Sequence, residues 1–179
     1  MLKGPVNVVR GIIILIIGGT AYTVSQADVV NIFSEETGMS QVAAEQYVEN
    51  ISDDELASFY EIGLDFISYG EEVLNMVSEI DCVNYFYEWE TATLTCEEGK
   101  SQLNKFGNDE IALGEAYKVL SSESASEVDI YSVIRLIDSD NENYSLEIVV
   151  WLFDYSEIDE AININLYNKA LLRAALDSE

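Results

Sequence analysis

The first strong pattern in the chain is a continuous apolar run. Ile12-Ile13-Ile14-Leu15-Ile16-Ile17 lies in an uncharged stretch from Gly11 to Ala27, preceded by Lys3 and Arg10. A short basic start before an apolar segment is the layout of an export signal, with the positive charges held on the cytoplasmic side. The stretch therefore predicts a membrane or signal helix, dividing the chain into an export segment, 1–27, and an exported domain, 28–179. Ser25 and Ala27 place small residues where a signal peptidase would cut before Asp28. Left uncut, seventeen uncharged residues reach the short end of the roughly 17–25 that span a bilayer, and Val6, Val8 and Val9 lengthen the span if Arg10 snorkels. Gly18-Gly19 weakens such a helix, although membrane helices tolerate glycine. An internal β-strand or core helix is the remaining reading of the run.

Beyond Ala27 the apolar positions take helical spacing. Val29, Val30, Ile32 and Phe33 form a cluster closed by Gly38, and Val42, Ala43, Tyr47 and Val48 share one side of a second stretch after Ser40. Ser52 followed by Asp53, Asp54 and Glu55 is a helix start with capping-box spacing. Leu56, Phe59, Tyr60, Gly63, Ile67, Gly70, Leu74 and Val77 then recur every three or four residues, which predicts an amphipathic helix of about seven turns. Gly63 and Gly70 lie on its apolar stripe, where they either admit a neighbour closely or kink the helix. A further helix is expected from about Asn108 to Leu120. Glu127–Asp138 and Tyr144–Tyr155 are rich in Val, Ile and aromatics and are separated by Ser139-Asp140-Asn141-Glu142-Asn143, which predicts an antiparallel hairpin. From Ser156 to Leu176 helical spacing returns. The fold class expected is α+β: an N-terminal membrane or signal helix, a helical first half, and a small antiparallel sheet closed by a C-terminal helix.

Charge narrows the function. All 34 acidic residues follow residue 27, the whole chain has eight Lys and Arg and no His, and the net charge is −26. No cationic surface is available to neutralise phosphates, so nucleic acid is not an expected partner. Without His, the commonest general base and transition-metal ligand are missing, along with every Ser-His or Cys-His dyad. Acidity of this degree suits a halophilic setting, docking of a basic partner, or simply a solvated surface.

Cys82 and Cys96 are the most specific local signal. They flank an aromatic and β-branched segment that reads as two short strands or a strand and its return, and in an exported domain they are placed to form a disulfide. Two buried free thiols are the alternative. Inside the segment, Tyr85, Phe86, Tyr87 and Trp89 are candidate partner contacts, with core packing behind the disulfide as the competing role. Glu88 and Glu90 beside Trp89 are the most tempting carboxylate pair, but alternation on a strand points both outward. Asp138–Asn143 begins like a calcium loop and then lacks the Gly and Glu that an EF-hand requires at positions 6 and 12. Asn50-Ile51-Ser52 and Asn143-Tyr144-Ser145 match the N-glycosylation acceptor pattern. No catalytic, cofactor-binding or metal-ligating set is expected.

Val9-Arg10-Gly11 ahead of the apolar run resembles the leader of archaeal type IV pilin-like proteins, over about the first thirty residues. That resemblance implies leader removal and an apolar helix packed into a filament core. The bacterial pattern, with Glu at the fifth mature position, does not fit, since Ile16 stands there. The function expected is a membrane-anchored, exported, non-enzymatic structural or accessory subunit of a larger assembly, attached to the membrane through its N-terminal helix and to protein partners or copies of itself. A pilin-like filament subunit is the first alternative, and an exported carboxylate enzyme or small-ligand binder the second. A deep pocket holding a desolvated acid would favour that last reading.

Overall fold

A computed structural model of the protein describes residues 7–9, 11–53, 58–83 and 94–178. It is an α+β fold, mostly helical. A small antiparallel sheet of order β1-β2-β3 (Asn7–Val9, Ile12–Ile17, Thr20–Ser25) precedes seven helices among the described residues. These are α1 (Gln26–Thr37), α2 (Gln41–Asp53), α3 (Phe59–Glu79), α4 (Cys96–Leu120), α5 (Glu127–Asn143), α6 (Glu147–Leu152) and α7 (Tyr155–Asp177).

The N-terminal helix expected from the sequence is corrected by the structure: the isoleucine run is strand β2. Gly18 and Gly19 both adopt positive φ (58° and 73°) between Ile17 and Thr20, which pair across the turn. Two left-handed residues in a two-residue loop make the tight hairpin whose twist matches its strands, and Gly-Gly supplies it at no steric cost. Ile13, Leu15 and Ile17 point inward and are fully buried in the main hydrophobic cluster, whereas Ile12 and Ile16 face outward. That alternation is the two-residue period of a strand packed on one face. Among the described residues, no helix is long and apolar enough to cross a membrane.

The sheet expected at 127–155 is likewise corrected, because that region is α5 and α6. Ile130, Val133 and Ile137 are buried at helical spacing. The segment Asp138–Asn143 is the last turn and a half of α5, not a hairpin turn or a calcium loop. The helix start expected at Ser52 falls six residues further on. There Ser58 caps α3, its N–H donating to Glu61 (2.9 Å) and its Oγ accepting from the Glu61 N–H (3.1 Å). The same reciprocal device opens α4 at Thr95/Glu98 and α7 at Asp154/Glu157. The C-terminal helix expected over 156–176 is α7.

Helices α3 and α4 form an antiparallel hairpin and touch backbone to backbone. A Cβ added at Gly63 would lie 2.5 Å from the Gly114 carbonyl oxygen, and one at Gly70 would lie 2.5 Å from that of Gly107. Gly63 and Gly70 on α3, like Gly107 and Gly114 on α4, are seven residues apart, so both close approaches fall on the same seam. Cys82 and Cys96 are disulfide-bonded, with Cα atoms 5.6 Å apart, which joins the end of α3 to the start of α4. Lys100 adds a hydrogen bond to the Ile80 carbonyl at that end (2.9 Å).

Packing divides into two clusters. The larger joins the sheet to α1, α2, α5, α7 and the C-terminal half of α4, with Tyr117 stacked against Phe59 and Phe66. The smaller gathers Val73, Val77, Leu103, Phe106, Tyr144, Ile148, Val149 and Ile158. Lys169 on α7 holds Glu36 of α1 (2.8 Å) and Asp138 of α5 (2.6 Å), and Arg173 also reaches Glu36 (2.5 Å).

Candidate functional site

An apolar cleft of about 270 Å³ opens between α3, α4 and α7. Its walls are Phe66 and Tyr69 of α3, Phe153, and Ile158, Ala161 and Ile164 of α7, while Asp65 and Glu157 add carboxylates from exposed positions. At the floor stand Glu110 of α4, Tyr144 and Asn165 of α7. Glu110 has no exposed surface, Asn165 has 1%, and behind them Asp140 of α5 is completely buried.

Glu110, Asp140 and Asn165 each interrupt the apolar stripe of their helix. Glu110 follows Leu103, Phe106 and Gly107 at helical spacing, Asp140 follows Val133 and Ile137, and Asn165 follows Ile158 and Ala161. The three helices therefore bring three polar side chains to one buried point. Asn165 donates both amide hydrogens, to Asp140 Oδ2 (2.8 Å) and to Asn141 Oδ1 (3.0 Å). Tyr144 donates its hydroxyl to Glu110 Oε1 (3.2 Å). Asn143 bridges outward, donating to Asp109 (2.8 Å) and accepting from Lys105, which also pairs with Asp109 (2.7 Å).

Two carboxyl groups side by side without a cation between them cannot both ionise cheaply. Burial, reinforced by the Asp140 charge, holds the Glu110 carboxyl far above the usual carboxylate range. Burial also raises Asp140, opposed by the Asn165 amide and by Glu110 itself. The pair is thus a neutral acid on Glu110 beside a carboxylate on Asp140. The Glu110 and Asp140 carboxyl groups interact with one another, and Glu110 Oε2 and Asp140 Oδ1 receive no hydrogen bond from any other group. Asn165 Oδ1 is different: it is a buried acceptor at the cleft floor with no donor at all.

Of the residues singled out from the sequence, Cys82 and Cys96 are brought together as the disulfide. Tyr85, Phe86, Tyr87 and Trp89 lie outside the described residues, as do Glu88 and Glu90. Asn50 lies on an exposed position of α2. Asn143 is 1% exposed, and its amide is tied to Asp109 and Lys105, so a glycan there would have to displace that network. No group of three or more His, Cys, Asp or Glu side chains that could hold a metal ion occurs among the described residues. Glu110, Asp140 and Asn165 had not been picked out. Their signal is that of polar residues on apolar helical stripes, and for Asp140 the expectation of a hairpin turn hides it.

Comparison of the chain with protein-family models, curated proteins and solved structures gave no match.

Proposed function

We propose that this protein is a non-enzymatic binder of a small, mainly apolar molecule, held in the cleft between α3, α4 and α7, and that it works on the extracytoplasmic side of a membrane. The observation that carries the reading is the cleft floor. An apolar pocket with a few convergent polar groups and a desolvated acid is the common form of a small-molecule site. Its volume lies just under the usual range of about 300–1,000 Å³, which suits a compact ligand. The Cys82–Cys96 bond supports the oxidising compartment.

Binding is favoured over catalysis by where the acids face. Catalysis by paired carboxylates needs two groups directed at one substrate with separate protonation states. Here Glu110 lines the cleft and Asp140 stands behind it. The accessory-subunit and filament readings both drew on an apolar N-terminal helix. With residues 12–17 and 20–25 in strands, that helix no longer supports them.

Titration with 2-phenylethanol, followed by thermal shift and calorimetry, tests the cleft. The wild type is expected to bind one equivalent, and Ala161→Trp, which fills the cleft, to bind none. Equal binding by both proteins, or no binding by the wild type, would end this reading.

A further inference from the structure

The polar groups of the cleft share a chemical sense: with Glu110 committed to Asp140, they offer acceptors and acids and no cation. Asn165 Oδ1 is an acceptor without a donor, buried to 99% and lining the floor. Its amide hydrogens are already used, so turning the amide over would break two hydrogen bonds and set Oδ1 against two acceptor oxygens. Asp65 and Glu157 add negative charge, and no Lys or Arg lines the cavity. Four aromatic rings, Phe66, Tyr69, Tyr144 and Phe153, complete the lining, with Tyr69 and Phe153 6.3 Å apart. Aromatic faces and carboxylates together favour a cation with an apolar body. A neutral alcohol can donate to Asn165 Oδ1 but leaves the carboxylates of the lining without a counter-charge, and an anionic ligand would meet acids of its own sign.

We propose that the cleft takes an organic ammonium, a protonated primary or secondary amine on an apolar body, whose N–H donates to Asn165 Oδ1 and whose charge is met by Glu110. The inference rests on the small-molecule reading above and names its ligand class. On binding, the ammonium keeps its own protons and Glu110 releases one from its carboxyl to the solvent. The site therefore exchanges one cation for one proton and stays electrically unchanged. The groups facing Glu110 make that exchange possible: Asp140 on α5, Tyr144 after it, Asp109 on its own helix and Tyr69 on α3, with Glu157 of α7 lining the same cleft. None is a base. Lys105 acts on Asp140 and is already paired with Asp109.

The test is calorimetric titration of the full chain with 2-phenylethylammonium and with 2-phenylethanol, which match in heavy atoms, at about 0.15 M salt to screen the acidic surface. The ammonium is expected to bind at least about tenfold tighter than the alcohol near neutral pH. Its affinity should rise about tenfold per pH unit while Glu110 is protonated in the free protein, as release of one proton requires. The alcohol should show no such rise. Repeating the titration in buffers of different ionisation enthalpy counts the released proton on the wild type alone, so the result does not depend on a variant folding. In Glu110→Gln, ammonium binding should lose both its advantage over the alcohol and its pH dependence. Equal or tighter binding of the alcohol overturns the ammonium inference and leaves the cleft reading intact. Failure of both ligands overturns the two together. Ammonium binding without proton release, unchanged in Glu110→Gln, overturns the role of Glu110.

Discussion

Replacing Glu110 by Gln removes a proton that the fold retains, and its effect on stability has a definite sign. In the unfolded chain the carboxyl ionises near 4.5, whereas in the fold burial and Asp140 keep it protonated well above that. Below 4.5 both states hold the proton and the group contributes no pH dependence. Above it the unfolded chain releases a proton that the fold keeps, so stability falls as pH rises, until the folded group itself ionises. One proton of difference is worth about 1.4 kcal/mol per pH unit. For a chain of this size that corresponds to roughly 3–5 °C in Tm per unit. Gln keeps the shape and the neutral charge but does not titrate. Asp140 and the surface carboxylates titrate beside a neutral neighbour in both proteins, so they largely cancel in the difference. Thermal unfolding of both proteins by circular dichroism, from mildly acidic to mildly alkaline buffer, is the assay. The two Tm curves are expected to converge in acid and separate by roughly 3–5 °C per pH unit, with Glu110→Gln the more stable at high pH. Parallel curves would mean that Glu110 ionises normally, and the neutral-acid floor would have to be abandoned.

Two further predictions concern the scaffold. Gly70→Ala should gain about 1 kcal/mol in helix propensity, yet its Cβ would meet the Gly107 carbonyl at 2.5 Å, so a net loss of about 1–3 kcal/mol is expected in urea unfolding; a net gain would show that the α3–α4 seam has slack. Replacing Cys82 and Cys96 together by Ser opens a fifteen-residue loop, and the urea midpoint should fall by the equivalent of about 3 kcal/mol, whereas an unchanged midpoint would mean that the bond contributes no stability.

Two six-residue segments, each dominated by apolar residues, show how far the sequence could be read. Ile12–Ile17 becomes a strand and Glu147–Leu152 a helix, although each is a short run of mostly aliphatic residues for which periodicity alone cannot decide. The deciding information lay at their edges. Gly18-Gly19 is a two-residue hairpin signal, and it overrides the apparent length of a membrane helix because the uncharged stretch is two strands folded back, not one continuous span. In α5 the β-branched composition suggested a strand, while Ile130, Val133, Ile134 and Ile137 were already spaced for a helix; tertiary packing favoured the period over the propensity. Readings that rested on longer patterns or on pairs of residues fared better: the long α3 stripe, the α7 spacing, the disulfide, and the two glycines that admit α4. The cleft was the least legible part, since it depends on three helices meeting and only one residue from each of them marks it.

The position of the acid pair bears on why it is there. It lies where the two hydrophobic clusters adjoin, with Tyr144 and Ile158 of the smaller cluster on the same cleft that Phe66 of the larger one lines. Replacing buried charge by apolar side chains is often neutral or stabilising, so the pair is a poor device for holding these helices together. The fold has other means. The glycine seam and the disulfide fix α3 against α4, and Lys169 fastens α7 to α1 and α5. Of these elements α3, α4, α5 and α7 set the cleft walls and floor, and a site held this way loses less entropy when a ligand arrives. A buried acid that adds little to the scaffold, set in walls that are separately cross-linked, is the arrangement expected where the acid serves a ligand.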